Sequence, residues 1–315
     1  MLSYIGRRLL LAIPTLLLVS VFTFSLQKLL PGDPVLVLAG EERSPEILAM
    51  LRHKYHLDDP APIQYLHWIG GVLHGDLGLS LKTDQPVTQL IASKLPITIE
   101  LAILAMTVAL LIGIPTGVIA AVRKGTAIDL GANVLALSGI SVPPFWLGVL
   151  MILLFAVKLH WLPASGFVPL WEDPVQNLCT MLMPSLVIGA ALAASLMRHT
   201  RGAMLSVLRA DYIRTARAKG LLSPAVILKH AFRNALVPIV TLVTLLFGEL
   251  IGGAVLTEQV FTIPGFGKMI VDAVFTRDYA VVQGVVLCVA CAFVALNLLA
   301  DVLYVLINPR MRVGA

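Results

Sequence analysis

Residues 198–238 read RHTRGAMLSVLRADYIRTARAKGLLSPAVILKHAFRNALVP. Eight bases fall in this stretch: Arg198, Arg201, Arg209, Arg214, Arg217, Lys219, Lys229 and Arg233. Asp211 is its single acid. Long apolar runs flank it on both sides, at 178–197 and 235–256. At ~1.5 Å per helical residue, each run can cross a hydrocarbon layer ~30 Å thick. The pattern predicts a polar, partly helical segment held between two membrane spans.

Composition supports lipid as the solvent. The chain is 58% hydrophobic and 13% charged, with a mean hydropathy of +0.91. Soluble domains run nearer half apolar and a quarter charged. One globule cannot hide this much apolar surface. The net charge of +5 is split into short segments between apolar runs, a signature of membrane topology and not of a nucleic-acid stripe. Cys179, Cys288 and Cys291 lie in or beside apolar runs, so no disulfide framework is readable.

At the N-terminus, Arg7 and Arg8 precede the uncharged run Leu9 to Gln27. That run ends at Lys28 and Pro31-Gly32-Asp33-Pro34 with no small-residue cleavage pattern, so a retained span is expected over a removed signal peptide. Arg7-Arg8 reads as the orientation signal of that span in preference to a twin-arginine export signal. Residues 31–95 are polar and long for a connection. Ser44-Pro45 predicts a helix start, followed by Ile47, Leu48, Leu51 and Tyr55 on one face. Asp59-Pro60 repeats the signal before Ile63, Leu66 and Ile69, and Gly75-Asp76-Leu77-Gly78 predicts a turn. Five more spans are expected at about 97–122, 130–157, 178–197, 235–256 and 280–307, with bends at Pro115, Pro143-Pro144 and Pro184. The fold class expected is therefore an all-α integral membrane protein with six transmembrane helices. Residues 1–95 form the first helix and an extracytoplasmic loop, 96–308 the membrane domain, and 309–315 a tail. Arg7, Arg8, Arg123, Lys124, the eight bases of 198–234, Arg310 and Arg312 cluster on one side, which places both termini in the cytoplasm.

Within the basic segment, Asp211 and Arg214 stand three apart, close enough to pair on a helix. Ile213, Ala216 and Gly220 share a small face that would let a cleft wall approach. Gly220 offers a helix stop, because glycine takes φ > 0 freely. On pattern alone, a positive-inside loop with one amphipathic helix accounts for all of this.

DYIRTARAKG followed by RNALVP resembles the cytoplasmic EAA loop of ABC importer permeases. Gly220 takes the loop's glycine position and Ala216 its second alanine. Thr215 replaces the first alanine and Arg214 the glutamate, and the distance from Gly220 to Pro238 is longer than in the basic pattern. Both departures resemble the dipeptide/oligopeptide/nickel branch. Three further stretches are similar to that branch: Arg7-Arg8-Leu9-Leu10 with Ile13-Pro14-Thr15-Leu16 and Pro31 to Pro34; Gly75-Asp76-Leu77-Gly78 with Ser80; and Thr257 to Phe261, Pro264-Gly265, Gly267, Arg277-Asp278-Tyr279 and Gln283-Gly284. The resemblance implies a type I importer permease of the inner membrane, working with a second homologous permease, two ATPase subunits and an extracytoplasmic solute-binding protein. It implies that 198–234 is the coupling loop, with Asp211, Arg214, Thr215, Ala216, Arg217, Lys219 and Gly220 meeting an ATPase. It also implies that ATP and magnesium are bound by partners. Peptides, glutathione, nickel chelates, opines and some oligosaccharides all suit the branch.

No phosphate-binding loop is readable. The nearest candidate, Gly267-Lys268, has Thr262 where the first glycine belongs and Met269 where Ser or Thr belongs. His53 and His56 could share a helix face as metal ligands or form a solvated surface pair. Cys288 and Cys291 read as small packing residues within a span. Glu249 and Asp301 are acids within apolar runs, where a charge costs ~2.5–3.5 kcal/mol on insertion scales. Glu249 is a candidate pore-lining residue, and Asp301 a partner for a helix end or nearby base. The rival expectation is an ion-coupled transporter acting alone through these two acids.

Overall fold

The computed structural model describes residues 2–29, 35, 39, 44–54 and 57–307. Helices account for nearly all regular structure, and the described residues hold one isolated bridge, between Leu79 and Pro86. In chain order the helices are α1 (Leu2–Leu29), α2 (Pro45–Lys54), α3 (Ala61–Leu73), α4 (Val87–Val122), α5 (Ala127–Ser141) and α6 (Pro144–Met151), continued by a π-helical stretch (Ile152–Lys158). Next come α7 (Pro174–Leu208) and α8 (Asp211–Ala218). A lead-in of Ser223–Ala225 and the π-helical Val226–Phe232 then enters α9 (Arg233–Gly253). The last three are α10 (Val255–Val260), α11 (Phe266–Thr276) and α12 (Tyr279–Ile307).

Four helical stretches are long and apolar enough to cross a membrane: Val87–Val122, Pro174–Leu208, Ser223–Gly252 and Tyr279–Ala300. A fifth arises if α5 and the α6 stretch form one span, bent by 93°. The apolar part of α1 is shorter, Leu10–Ser25. Uncharged runs take this form because lipid cannot satisfy backbone polar groups, so each segment satisfies its own. The bend falls at Pro143-Pro144, as expected. Proline lacks an N–H and crowds the preceding turn, so α5 stops at Ser141 and Pro144 opens α6. Pro115 and Pro184 lie inside α4 and α7, each a single helix on both sides of its proline.

The chain divides into two compact units. The first holds the described residues from Thr98 to Pro264 and from Ala295 onward. Here α4 and α7 meet at glycines on both sides. A Cβ on Gly113 would lie 2.8 Å from the Ala193 carbonyl oxygen, and one on Gly117 would lie 2.7 Å from the Met197 oxygen. Reciprocally, a Cβ on Gly189 would lie 2.7 Å from the Val108 side chain. Helices in lipid associate through such close approach, since lipid tails are as apolar as leucine. α5 joins α7 through small residues too, with Ala120, Ala136, Ala194 and Met197 clustered together. The Thr257–Phe261 stretch is buried in this unit. Thr98 Oγ1 donates to Glu258 Oε1 at 2.6 Å, Phe261 packs where a Gly148 Cβ would be, and the Gly166 N–H donates to the Phe261 carbonyl.

The second unit holds the described residues between Leu2 and Ile97 and from Gly265 to Val294. Its core gathers Val87, Ile91, Phe266, Ala273, Val281 and Val285. Asp278, nearly fully buried, ties it together. Its Oδ2 accepts from the Ser80 hydroxyl and the Lys82 N–H, and its Oδ1 from the Leu81 and Val281 N–H groups. So the two motifs Gly75–Ser80 and Arg277–Gly284, far apart in sequence, form one knot. Gly284 is glycine because a Cβ there would sit 2.6 Å from Val87 Cγ1. The Gly75–Gly78 turn forms as expected, with both glycines at positive φ and Asp76 Oδ1 accepting the Gly78 N–H. Both helices expected from Ser44-Pro45 and Asp59-Pro60 also form, α2 opening with the Ile47 N–H donating to Ser44 Oγ. α3 joins α1 through a hydrogen bond between Ser20 and Tyr65 and an aromatic cluster of Phe24, Tyr65 and Trp68.

Candidate functional site

The basic segment is less a loop than a pair of helix extensions around one short helix. α7 does not end at Met197 with the apolar run but continues to Leu208. Likewise the lead-in to α9 starts at Ser223, before the expected 235. Between α7 and the lead-in to α9 lie only α8 and its two joints, Arg209-Ala210 and Lys219–Leu222. The extension persists because Arg198, Arg201, Ala203, Met204, Leu205 and Leu208 are good helix formers that outweigh Gly202, and charge ends hydropathy without ending a helix.

α8 is strongly amphipathic. Ile213 is fully buried and Ala216 nearly so, in a cluster with Ala121, Leu196, Met204, Val226, Ala231, Ala235 and Ile239. This corrects the expected use of the small face. Ile213 and Ala216 face the chain's own core, so Ala216 offers no side chain to another protein. Asp211, Tyr212, Arg214, Thr215, Arg217, Ala218, Lys219 and Gly220 are the exposed set. Asp211 and Arg214 pair at 3.6 Å, with side chains 95% and 79% exposed. An exposed pair of that kind adds little stability, so these charges are available for contacts outside the chain. Gly220 ends the helix at φ +75 with open space where a Cβ would point. Its role is conformational, since a side chain there would be strained in the left-handed region.

Ile213 is the anchor. Truncating Ile213 to alanine should cost ~2–5 kcal/mol of packing, enough to loosen α8 locally. Faster tryptic cleavage at Arg214 and Arg217 is the expected readout; cleavage at the wild-type rate would show that the anchor lies elsewhere.

A polar pairing that sequence reasoning missed joins α7 to the start of α5. Arg201 Nε donates to Asp129 Oδ1 at 2.6 Å and Nη2 to Oδ2 at 2.8 Å. Asp129 also accepts from the Gly125 N–H at 2.9 Å and from Asn133 Nδ2 at 2.8 Å. The only sequence signal was an acid in the first turn of a helix after Arg123-Lys124-Gly125, which by itself reads as a helix-dipole complement. A groove of about 550 Å³ opens between α7 and α9, lined by Arg198, His199, Ser206, Asn234 and Pro238 among others.

Other candidates stand apart from α8 in sequence. Glu249 is exposed on α9 and has no ion-pair partner among the described residues. Asp301 lies in α12, and its side chain falls outside the described residues, as does His56. His53 is exposed, and no metal-sized cluster occurs among the described residues. Cys288 and Cys291 are free thiols on α12. Gly267 and Lys268 sit in helix α11, with Lys268 3.6 Å from Asp272.

Apolar helices long enough to cross a membrane, joined by a short helix with a buried apolar edge and an exposed charged one, are the architecture of a membrane-embedded protein. Residues 113–313 match the model of the binding-protein-dependent transport system inner membrane component, and residues 1–102 match the model of its N-terminal region. The chain belongs to this family, within the dipeptide/oligopeptide/nickel branch of ABC importer permeases. A putative peptide transport system permease protein of Brucella abortus is 44% identical over 312 residues, covering 99% of each chain. The dipeptide transport system permease protein DppB of Escherichia coli K12 is 44% identical over 336 residues, again covering 99% of each. The glutathione transport system permease protein GsiC of Escherichia coli O6:H1 is also 44% identical, over 312 residues and 99% of each. An inward-facing MetNI methionine ABC transporter chain shares the fold, with a TM-score of 0.56, 18% identity, and coverage of 70% of this chain and 97% of that one.

Proposed function

We propose that this chain is one half of the translocation pore of an ATP-driven importer for di- or oligopeptides or a related small solute such as glutathione. The substrate class follows the names of its relatives, which are peptide, dipeptide and glutathione permeases. Six crossings, counting α1 and the bent pair each as one, leave both termini in the cytoplasm. A second homologous permease completes the pore, an extracytoplasmic binding protein delivers solute, and two ATPase subunits hold ATP and magnesium.

The observation that carries the proposal is the two-sided character of α8. Buried Ile213 and Ala216 fasten it to the ends of α4, α7 and α9. Asp211, Arg214, Thr215, Arg217 and Lys219 remain exposed for an ATPase cleft. A helix held this way transmits displacement, because a close-packed interior moves as a body. ATP-driven closure of the ATPases would then carry α8 and the helices bonded to it, switching the pore outward, and hydrolysis would reset it. Glu249, exposed near the end of α9, is the pore-lining candidate.

The test is Gly220→Trp in the assembled importer. A left-handed conformation costs a non-glycine residue ~1–2 kcal/mol, and the indole would stand where the cleft wall must approach. Uptake and solute-stimulated ATP hydrolysis should each fall roughly tenfold or more, with normal insertion in the membrane. Wild-type uptake would refute the lever. Uptake by the chain reconstituted alone would favour an ion-coupled transporter instead.

A further inference from the structure

We propose that Asp129 and Arg201 are positioning residues that pass the displacement of α8 to the bent span α5–α6. The inference rests on the permease reading and adds a second transmission point to it. Arg201 stands about two turns before the end of α7, between the membrane-crossing part of that helix and α8. Asp129 lies in the first turn of α5. Their contact is a two-pronged fork with both oxygens engaged, and the side chains are only 23% and 8% exposed. A fork of this kind fixes orientation as well as distance.

What else joins α5 to α7 makes the fork matter. Beside it stand apolar contacts, mostly between small residues: Ala136 with Ala194 and Met197, and Gly139, where a Cβ would lie 3.1 Å from the Ala194 Cβ. Such packing holds the two helices close, and the fork adds a directional tie that fixes their register along the axis. Asp129 also holds the Gly125 N–H of the α4–α5 turn and the Asn133 amide one turn on. One carboxylate therefore binds the end of α7, the start of α5 and the turn from α4. When α7 moves with α8, α5 is pulled along, and the motion arrives at the Pro143-Pro144 break, where the span bends by 93°. Without the fork, α7 slides past α5 and the bent span lags.

The experiment uses the complete importer, purified with its partner permease, ATPases and binding protein and reconstituted in liposomes. Uptake and solute-stimulated ATP hydrolysis are measured per assembled complex for Asp129→Asn, Arg201→Gln and the double variant. Each single change is expected to cut uptake about tenfold, in the range by which coupling networks act, while hydrolysis falls less than about twofold. The double variant should be no worse than either single one, because the two residues act as a unit. Arg201→Lys should resemble Arg201→Gln, since lysine keeps the charge but cannot fork. Additive losses, parallel loss of uptake and hydrolysis, wild-type uptake, or failure of every variant to assemble would each overturn the proposal. Absence of ATP-driven uptake in the wild-type complex would sink the permease reading itself, a separate outcome from active wild type with unaffected variants.

Discussion

Replacing Gly117 with leucine is expected to remove the folded subunit from the membrane. The glycine lies at the crossing of α4 and α7, where a Cβ would stand 2.7 Å from both the Met197 carbonyl oxygen and the Thr200 Cβ. The first of these is backbone and cannot rotate away. Thr200 is itself fully buried, so the wall on that side is closed as well. Overpacking a tight interior usually costs ~1–3 kcal/mol, and here an entire isobutyl group meets a helix backbone, so about 3 kcal/mol or more is expected. The measurements are thermal stability in detergent and the amount of subunit recovered with its partners. Gly131→Ala is the control. Gly131 faces open space on α5, and alanine there should be neutral or stabilise by up to ~1 kcal/mol through better helix propensity. Equal recovery of the Gly117 and Gly131 variants would show that α4 and α7 do not depend on this approach.

Asp278→Ala is expected to open the second unit. Four donors converge on this buried carboxylate: the Ser80 hydroxyl and the N–H groups of Leu81, Lys82 and Val281. Alanine would leave the Ser80 hydroxyl and the Leu81 and Val281 N–H groups without this acceptor, while the Lys82 N–H keeps Ser80 Oγ at 3.3 Å, at ~1–3 kcal/mol for each that water cannot reach. It would also strip the start of α12 of the carboxylate that accepts its Val281 N–H. A total of about 3 kcal/mol or more is expected. The exposed Lys82 gives a convenient readout, since trypsin should cut there faster once the loop detaches. Asp278→Asn keeps one acceptor oxygen and should fall between wild type and alanine. Wild-type resistance at Lys82 in the alanine variant would show that the loop is held by other contacts.

These two sites differ in how far they can be read from the chain alone. The apolar runs around the basic segment, the break at Pro143-Pro144 and the stop at Gly220 follow from hydropathy and from the backbone chemistry of two residue types. The lengths of α7 and α9 do not. Hydropathy marks where side chains leave lipid, whereas a helix ends where its backbone does, and nothing in Arg198–Leu208 forces an end. The direction of the Ile213–Ala216 face was likewise ambiguous, because a small apolar edge suits a partner's cleft and the chain's own core equally well. Asp278 appeared within a motif but without a role, as its hydroxyl partner lies 198 residues away. Asp129 gave no warning, with its arginine 72 residues distant. Pairings across such separations depend on how helices cross, and one sequence carries no record of that.

The 35 residues of α7 span ~52 Å as a straight helix, against a hydrocarbon core of ~30 Å. If α8 is the coupling helix proposed above, the surplus would work as a standoff. A motor clasping α8 would turn in water, clear of the lipid headgroups, and need not plough through the bilayer at each stroke. The stroke delivered to the pore would then be insensitive to modest changes in membrane thickness, because the gripping point is set by helix length and not by the lipid surface.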